Sequence, residues 1–155
     1  MELSLYAHFF YSFVATVGYS IFFNVPKKQI PYCGFTGAIG WIVYVVINNK
    51  LLNPVFANFL AALLVTLVSE NLARLIKKPA ILFIIPGIIP LVPGAGLYRT
   101  MLNFVQGNHN LAISTGIETI LVSGAIALGI MVTTSIYTSI RNYRINLLKN
   151  HKKNK

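Results

Sequence analysis

Acid–base and ligand chemistry is scarce in this chain. Its 155 residues hold three glutamates (Glu2, Glu70 and Glu118), three histidines (His8, His109 and His151), one cysteine (Cys33) and no aspartate. Covalent catalysis needs a nucleophile beside a base, and a metal needs clustered ligands. His8 is the one histidine within an apolar stretch, and no serine lies in a Gly-x-Ser-x-Gly elbow. An enzyme, a metal site and a cofactor are therefore not expected, and a lone cysteine cannot build a disulfide framework within one chain. What remains is ion recognition by Arg99 and Glu118, each set in a long apolar stretch. A guanidinium can hold a carboxylate through parallel hydrogen bonds, and a buried charge in a membrane calls for a partner or a function.

Arg99 and Glu118 are equidistant from the middle of the connection Gln106-Gly107-Asn108-His109-Asn110-Leu111. In an antiparallel hairpin they come to similar depth, where an ion pair is one reading and a substrate carboxylate on Arg99 another. Glu70 precedes Arg74 by one helical turn, a spacing that predicts an interfacial pair. His8 shares a helical face with Ser4, Ser12, Ala15 and Tyr19 and reads as a hydrogen-bonded packing residue, with a proton relay as the rarer alternative.

Arg99 follows the segment Pro86-Gly87-Ile88-Ile89-Pro90-Leu91-Val92-Pro93-Gly94-Ala95-Gly96. Each proline removes a backbone donor and crowds the preceding turn, so an unwound stretch from Pro86 to Gly94 is expected inside the segment Ala80 to Gln106. A single helix over that segment would be roughly 40 Å long against an apolar core of roughly 30 Å, which leaves room for two half-helices. Irregular backbone at membrane depth is tolerated only where it is buried in protein or lines a cavity. The second half-helix, Ala95 to Gln106, would turn its positive end toward an anion, with Arg99 one turn in.

The elements that carry these residues follow from composition. Hydrophobic residues make up 55%, charged residues 10%, and the mean hydropathy is +0.68, so the bilayer is the expected solvent. Five segments are predicted: Leu3 to Phe23, Tyr32 to Asn48, Pro54 to Ala73, the broken Ala80 to Gln106, and Leu111 to about Tyr137. The fold class is thus all-α and polytopic, with residues 1–140 in the membrane domain and 141–155 a basic tail. The first segment lacks a basic start and a convincing cleavage site, and reads as a retained span. In the tail, Ile140, Tyr143, Leu147 and Leu148 recur at helical spacing, which allows an amphipathic helix on anionic headgroups, or a frayed end that only fixes orientation.

Thirteen Lys and Arg give a net charge of +10, a balance that in a soluble chain would point to nucleic acid. Here it tracks topology instead, and no nucleic-acid partner is expected. All but Lys50 and Arg99 lie in alternate connections or in the tail. The positive-inside rule puts those connections and the C-terminus in the cytoplasm and the N-terminus outside. Asn58, Ala62, Thr66 and Glu70 form one predicted inward stripe, and Ser114, Glu118, Ala125 and Gly129 another. Gly34, Gly37, Ala38 and Gly40 permit close helix contact.

The motif Pro86-Gly87-x-x-Pro90-x-Val92-Pro93-Gly94 with Tyr98-Arg99 resembles the signature of the small-subunit domain of the threonine/serine exporter family, specifically between Pro79 and Gly107. The resemblance implies a bacterial inner-membrane exporter of small amino acids or organic acids that works beside a larger subunit. It implies Pro86, Gly87, Pro90, Pro93, Gly94 and Arg99 as motif residues, and Gly96 and Glu118 join them as candidates for binding an anionic or zwitterionic substrate. Five spans enclose little space, so the larger subunit or a second copy is an expected partner. A non-transporting assembly subunit is the alternative reading.

Overall fold

The computed structural model describes residues 4–153, with side chains through 141 and at Tyr143. Among them there is no strand, and six α-helices follow one another: α1 (Leu5–Phe22), α2 (Ile30–Leu51), α3 (Pro54–Ile76), α4 (Ile81–Ile88), α5 (Gly94–Val105) and α6 (His109–Lys153). Four helices are long and apolar enough to cross a membrane, and α4 with α5 makes a fifth span bent by 49°. The expected broken fourth segment is therefore present, and the protein is an all-α polytopic membrane protein. Position 3 of the first predicted span and the last two residues of the tail lie outside the described residues, as do the side chains of Leu147 and Leu148. Backbone helix runs unbroken from His109 through the 140/141 boundary.

Short connections force antiparallel neighbours. Asn53 opens α3 as its N-cap, its Oδ1 accepting from Phe56 N–H at 3.1 Å, with Pro54 at the first helical position. The α5–α6 turn closes by a Schellman pattern: Gly107 N–H donates to Phe104 O at 3.1 Å and Asn108 N–H to Asn103 O at 2.9 Å. Gly107 has φ +77°, the left-handed conformation this turn requires.

The bundle is held by small residues. A Cβ on Gly34 would meet the Phe13 ring at 2.6 Å, one on Gly37 would collide with Thr16, and one on Gly40 with Val65. On α6, a Cβ at Gly129 would lie 2.7 Å from the Phe59 carbonyl oxygen of α3, a backbone atom that cannot swing away. Small side chains thus let α1, α2, α3 and α6 approach without any hydrophobic drive from water. Ala61, Ala62, Val65, Leu91, Val122 and Ile126 fill the resulting core, and Val25, Cys33, Ala73 and Phe83 form a second cluster toward the basic connections.

Two of the expected faces shift and one holds. In α1 the buried face is Ser12, Thr16 and Ser20, while Ala15 and Tyr19 are exposed. Each of these hydroxyls donates to a carbonyl one turn back, Ser12 to His8 O at 2.7 Å, Thr16 to Ser12 O at 2.8 Å and Ser20 to Thr16 O at 2.7 Å. Such internal satisfaction lets a hydroxyl face a tight apolar contact. In α6, Ala125 and Gly129 are buried as expected, but Ser114 and Glu118 are exposed, and Ala112, Thr119 and Val122 take the inward face. In α3, Asn58, Ala62 and Thr66 are buried as the spacing predicts. At its end Arg74 lies over the Tyr137 ring, 4.4 Å from the centroid, and the predicted Glu70–Arg74 ion pair does not occur among the described residues.

The expected unwinding from Pro86 to Gly94 is corrected to a much shorter interruption. Helix α4 runs through Pro86 and Gly87, a 3-10 turn covers Ile89–Leu91, and only Val92 and Pro93 separate it from α5. The reason lies in the carbonyls that the prolines orphan. Pro86 cannot donate to Leu82 O, and the Cys33 thiol of α2 donates there instead at 3.5 Å. Pro90 cannot donate to Pro86 O, which accepts from Ile89 N–H. Pro93 cannot donate to Ile89 O, which accepts from Val92 N–H at 3.2 Å. With these three carbonyls partnered, the interruption stays short.

Candidate functional site

Below the bend, Leu91 is anchored in the main core against α2, α3 and α6. Above it, α5 packs on α6 and buries none of its own residues. Two features hold that hairpin shut. A Cβ on Gly96 would come within 2.5 Å of Thr119 Oγ1, so the helices touch where α5 has no side chain. One turn further on, Thr100 Oγ1 and Thr115 Oγ1 are 3.2 Å apart. Helix α5 therefore stands off α2 and α3 and leaves a cleft between them.

That cleft is a cavity of about 340 Å³. Trp41 and Tyr44 of α2 and Pro54 and Asn58 of α3 form one wall. The opposite wall is the bend from Pro90 to Gly94 with Ala95, Gly96 and Arg99 of α5, and Thr115, Glu118, Thr119 and Val122 of α6. Of the eight residues the sequence nominated, six line this space: Pro90, Pro93, Gly94, Gly96, Arg99 and Glu118. Pro86 and Gly87 do not. Both are buried in the core, where a Cβ on Gly87 would lie 3.0 Å from Thr36 and 3.1 Å from Val65. Their part is to let α4 pack against α2 and α3.

The electrostatics of the cavity come from two charges and a dipole. Arg99 and Glu118 both face it and are both exposed, and no ion pair joins them among the described residues. Helix α5 begins at Gly94, and its N-terminal end, a region of partial positive charge, forms part of the same wall. A Cβ added at Gly94 would meet nothing within 4 Å, so the space before that end is open. A cation and a helix N-terminus beside a carboxylate can receive a molecule carrying both charges, its carboxylate toward Arg99 and its ammonium toward Glu118.

The sequence pointed to this site through its prolines and its charges and missed the aromatic wall. Trp41 and Tyr44 lie with ring centroids 5.1 Å apart and planes tilted by 34°, and Trp41 Nε1 donates to His8 Nδ1 at 3.2 Å. His8 is thus the packing residue expected, orienting Trp41 from α1. Trp41 and Tyr44 share a helical face at i and i+3, the one trace in the sequence that could have marked them. Asn58 had been assigned to an inward stripe, and its amide nitrogen donates to Pro54 O at 2.8 Å. No group of three or more His, Cys or Glu side chains able to hold a metal occurs among the described residues.

The family described as "Threonine/Serine exporter, ThrE" matches residues 8–136, which include every residue of the cavity. A protein of Haemophilus influenzae (strain Rd), described as "Uncharacterized protein", is 28% identical over 136 residues. The match takes in 83% of this chain and 46% of that relative, so the chain spans about half the relative's length. No solved structure matches.

Proposed function

This chain belongs to the threonine/serine exporter family, and from that premise we propose that it is the small subunit of a two-component exporter that moves a small amino acid or organic acid by alternating access around the α4–α5 bend. That it is an exporter-type membrane protein follows from the family and its apolar helices. The finer reading rests on one observation above the others: the bend, the N-terminus of α5, Arg99 and Glu118 share one cavity. Opposite charges on its wall favour a zwitterion or a monocarboxylate over a dicarboxylate, unless a second subunit contributes another cation.

The need for a partner has a physical ground. Arg99 and Glu118 are exposed on this chain alone, as are Leu97, Tyr98, Met101 and Phe104 of the helix that carries Arg99. Lipid can cover the apolar side chains but not the charges, whose burial at the bilayer centre costs at least about 2.5 kcal/mol each. A larger subunit of the same family seated against the α5–α6 hairpin would close the cavity's open side, and a second copy of this chain is the other candidate. Motion would be concentrated at Val92–Pro93, the only non-helical link between the core-anchored turn and the hairpin.

The test is efflux of labelled threonine, serine and succinate from cells making the chain with and without its larger companion. Export should require both, and Pro93→Ala with Gly94→Ala should reduce it about tenfold or more while the complex still assembles. Unchanged export by that double variant at equal abundance would favour the assembly-subunit reading.

Orientation is part of the proposal. The connections holding Lys27, Lys28, Lys77 and Lys78 are placed in the cytoplasm with the C-terminus, and the N-terminus outside, in a bacterial inner membrane. A cysteine placed in the tail of a Cys33→Ser chain should resist impermeant thiol reagents in intact cells and react after lysis. Labelling from outside would reverse the orientation.

A further inference from the structure

Away from the bend, a second cavity of about 240 Å³ opens between the end of α3, the connection 77–80 and α6. Three cations line it, Arg74, Lys78 and Arg141, against the single carboxylate of Glu70. The exporter reading gives these residues no part. We propose that this cavity binds the phosphate of an anionic phospholipid headgroup at the basic-connection end of the protein.

The geometry carries the assignment in three steps. Arg74 lies over the Tyr137 ring, its guanidinium carbon 4.4 Å from the ring centroid. A guanidinium carries five N–H donors in one plane, a fork that matches phosphate oxygens. Lys78 stands in the connection and Arg141 on α6, so the cations come from three separate elements and converge on one space. Pro79 and Ala80, just ahead of the first turn of α4, complete the rim.

The surroundings select a lipid over a soluble phosphate. Leu75 of α3, Ile81 at the start of α4 and Ile140 of α6 are 80%, 62% and 45% exposed, an apolar surface along which acyl chains can lie. Toward the bend the way is closed, since Ala73 of the cavity wall packs into the buried cluster of Val25, Cys33 and Phe83. This space is therefore no vestibule of the upper cavity in this conformation. Basic pockets between helices at the cytoplasmic interface are where anionic headgroups collect, each nearby cation adding to the attraction. This inference stands whether or not the chain exports anything.

The experiment uses the full chain in nanodiscs of phosphatidylcholine alone or with phosphatidylglycerol, reading retained lipid by native mass spectrometry and the thermal unfolding midpoint. Phosphatidylglycerol should be retained and should raise the midpoint by about 3 °C. Lys78→Gln with Arg141→Gln should lower retention about tenfold or more and remove the rise. Lys27→Gln with Lys28→Gln takes the same charge from an exposed connection outside the cavity and should leave both readouts unchanged. The proposal is overturned if that control loses as much as the cavity variant, which would indicate diffuse surface attraction. It is equally overturned if the cavity variant keeps its lipid, or if inorganic phosphate or succinate displaces it, which would indicate a site for a soluble anion.

Discussion

Arg99→Gln should abolish most export, cutting it roughly 100-fold or more at equal membrane abundance and partner association. The side chain lines the cavity from the second turn of α5, where its full charge adds to the partial charge of the helix end. Hydrogen bonds to a charged group contribute about 1.5–3 kcal/mol each, and two parallel ones to a carboxylate are lost together. The substitution also leaves Glu118 as the one charged side chain lining the cavity, without a cation opposite it. Arg99→Lys keeps the charge without the planar fork, so partial export would assign the larger share to charge and near-zero export to geometry. Glu118→Gln separates two roles. A uniform loss of affinity for amino acids with monocarboxylates spared would mark it as the ammonium site, whereas a loss that depends on pH for every substrate would mark a coupled proton. Near-normal export by Arg99→Gln would remove Arg99 from the substrate site.

The second large effect is expected at Gly96, through shape alone. Its missing Cβ lets α5 touch Thr119 of α6, and an added methyl would lie 2.5 Å from Thr119 Oγ1. Thr119 cannot easily turn aside, because its hydroxyl already donates to Thr115 O at 2.7 Å and a β-branched side chain has few rotamers in a helix. Gly96→Ala should therefore pry the hairpin open and displace Arg99, lowering export about tenfold, since misplacing a binding group by an ångström costs on that order or more. Thr119→Ala alone should be mild. The double variant should recover most of the activity, because it moves the methyl without adding to the contact. If Gly96→Ala is harmless, or Thr119→Ala does not rescue it, the contact does not set the position of Arg99.

These expectations draw on features that were unevenly visible in the sequence. The spans were legible because charged residues are nearly excluded from them and because proline, glycine and lysine mark their ends, as at Pro26-Lys27-Lys28 and Lys77-Lys78-Pro79. The bend was legible for the same reason, but its extent was not. Three prolines predicted a long unwound stretch, yet the Cys33 thiol, Ile89 N–H and Val92 N–H supply the missing hydrogen bonds. One of those donors lies on another helix, and pairing across helices leaves no trace in local spacing.

Helix faces were partly legible. The α3 stripe of Asn58, Ala62 and Thr66 is inward as predicted. On α1, polar residues and alanine do not share the inward side: Ser12, Thr16 and Ser20 are buried, Thr16 against Gly37 of α2, because each hydroxyl is satisfied by its own helix. On α6 the inward face near the turn is set by contact with α5 through Thr115 and Thr119, which displaces Ser114 and Glu118 to the exposed side. The bend resets the helical phase of α5 relative to α4, so the sequence could place Arg99 and Glu118 at one depth without deciding whether they meet.

The central claim is that the cavity at the bend receives the exported molecule, and Gly94 offers the most direct measurement. A cysteine there, in a Cys33→Ser background that keeps a donor for Leu82 O, would project into open space at the start of α5. Its rate of modification by a small water-soluble thiol reagent should be measured in membranes containing the chain and its larger companion, with threonine, serine or succinate present or absent. The account predicts that the cysteine reacts and that the transported species slows the reaction in a saturable way, with the protection lost in Arg99→Gln. A cysteine that reacts at the same rate whatever substrate is added, or that does not react at all, would contradict it.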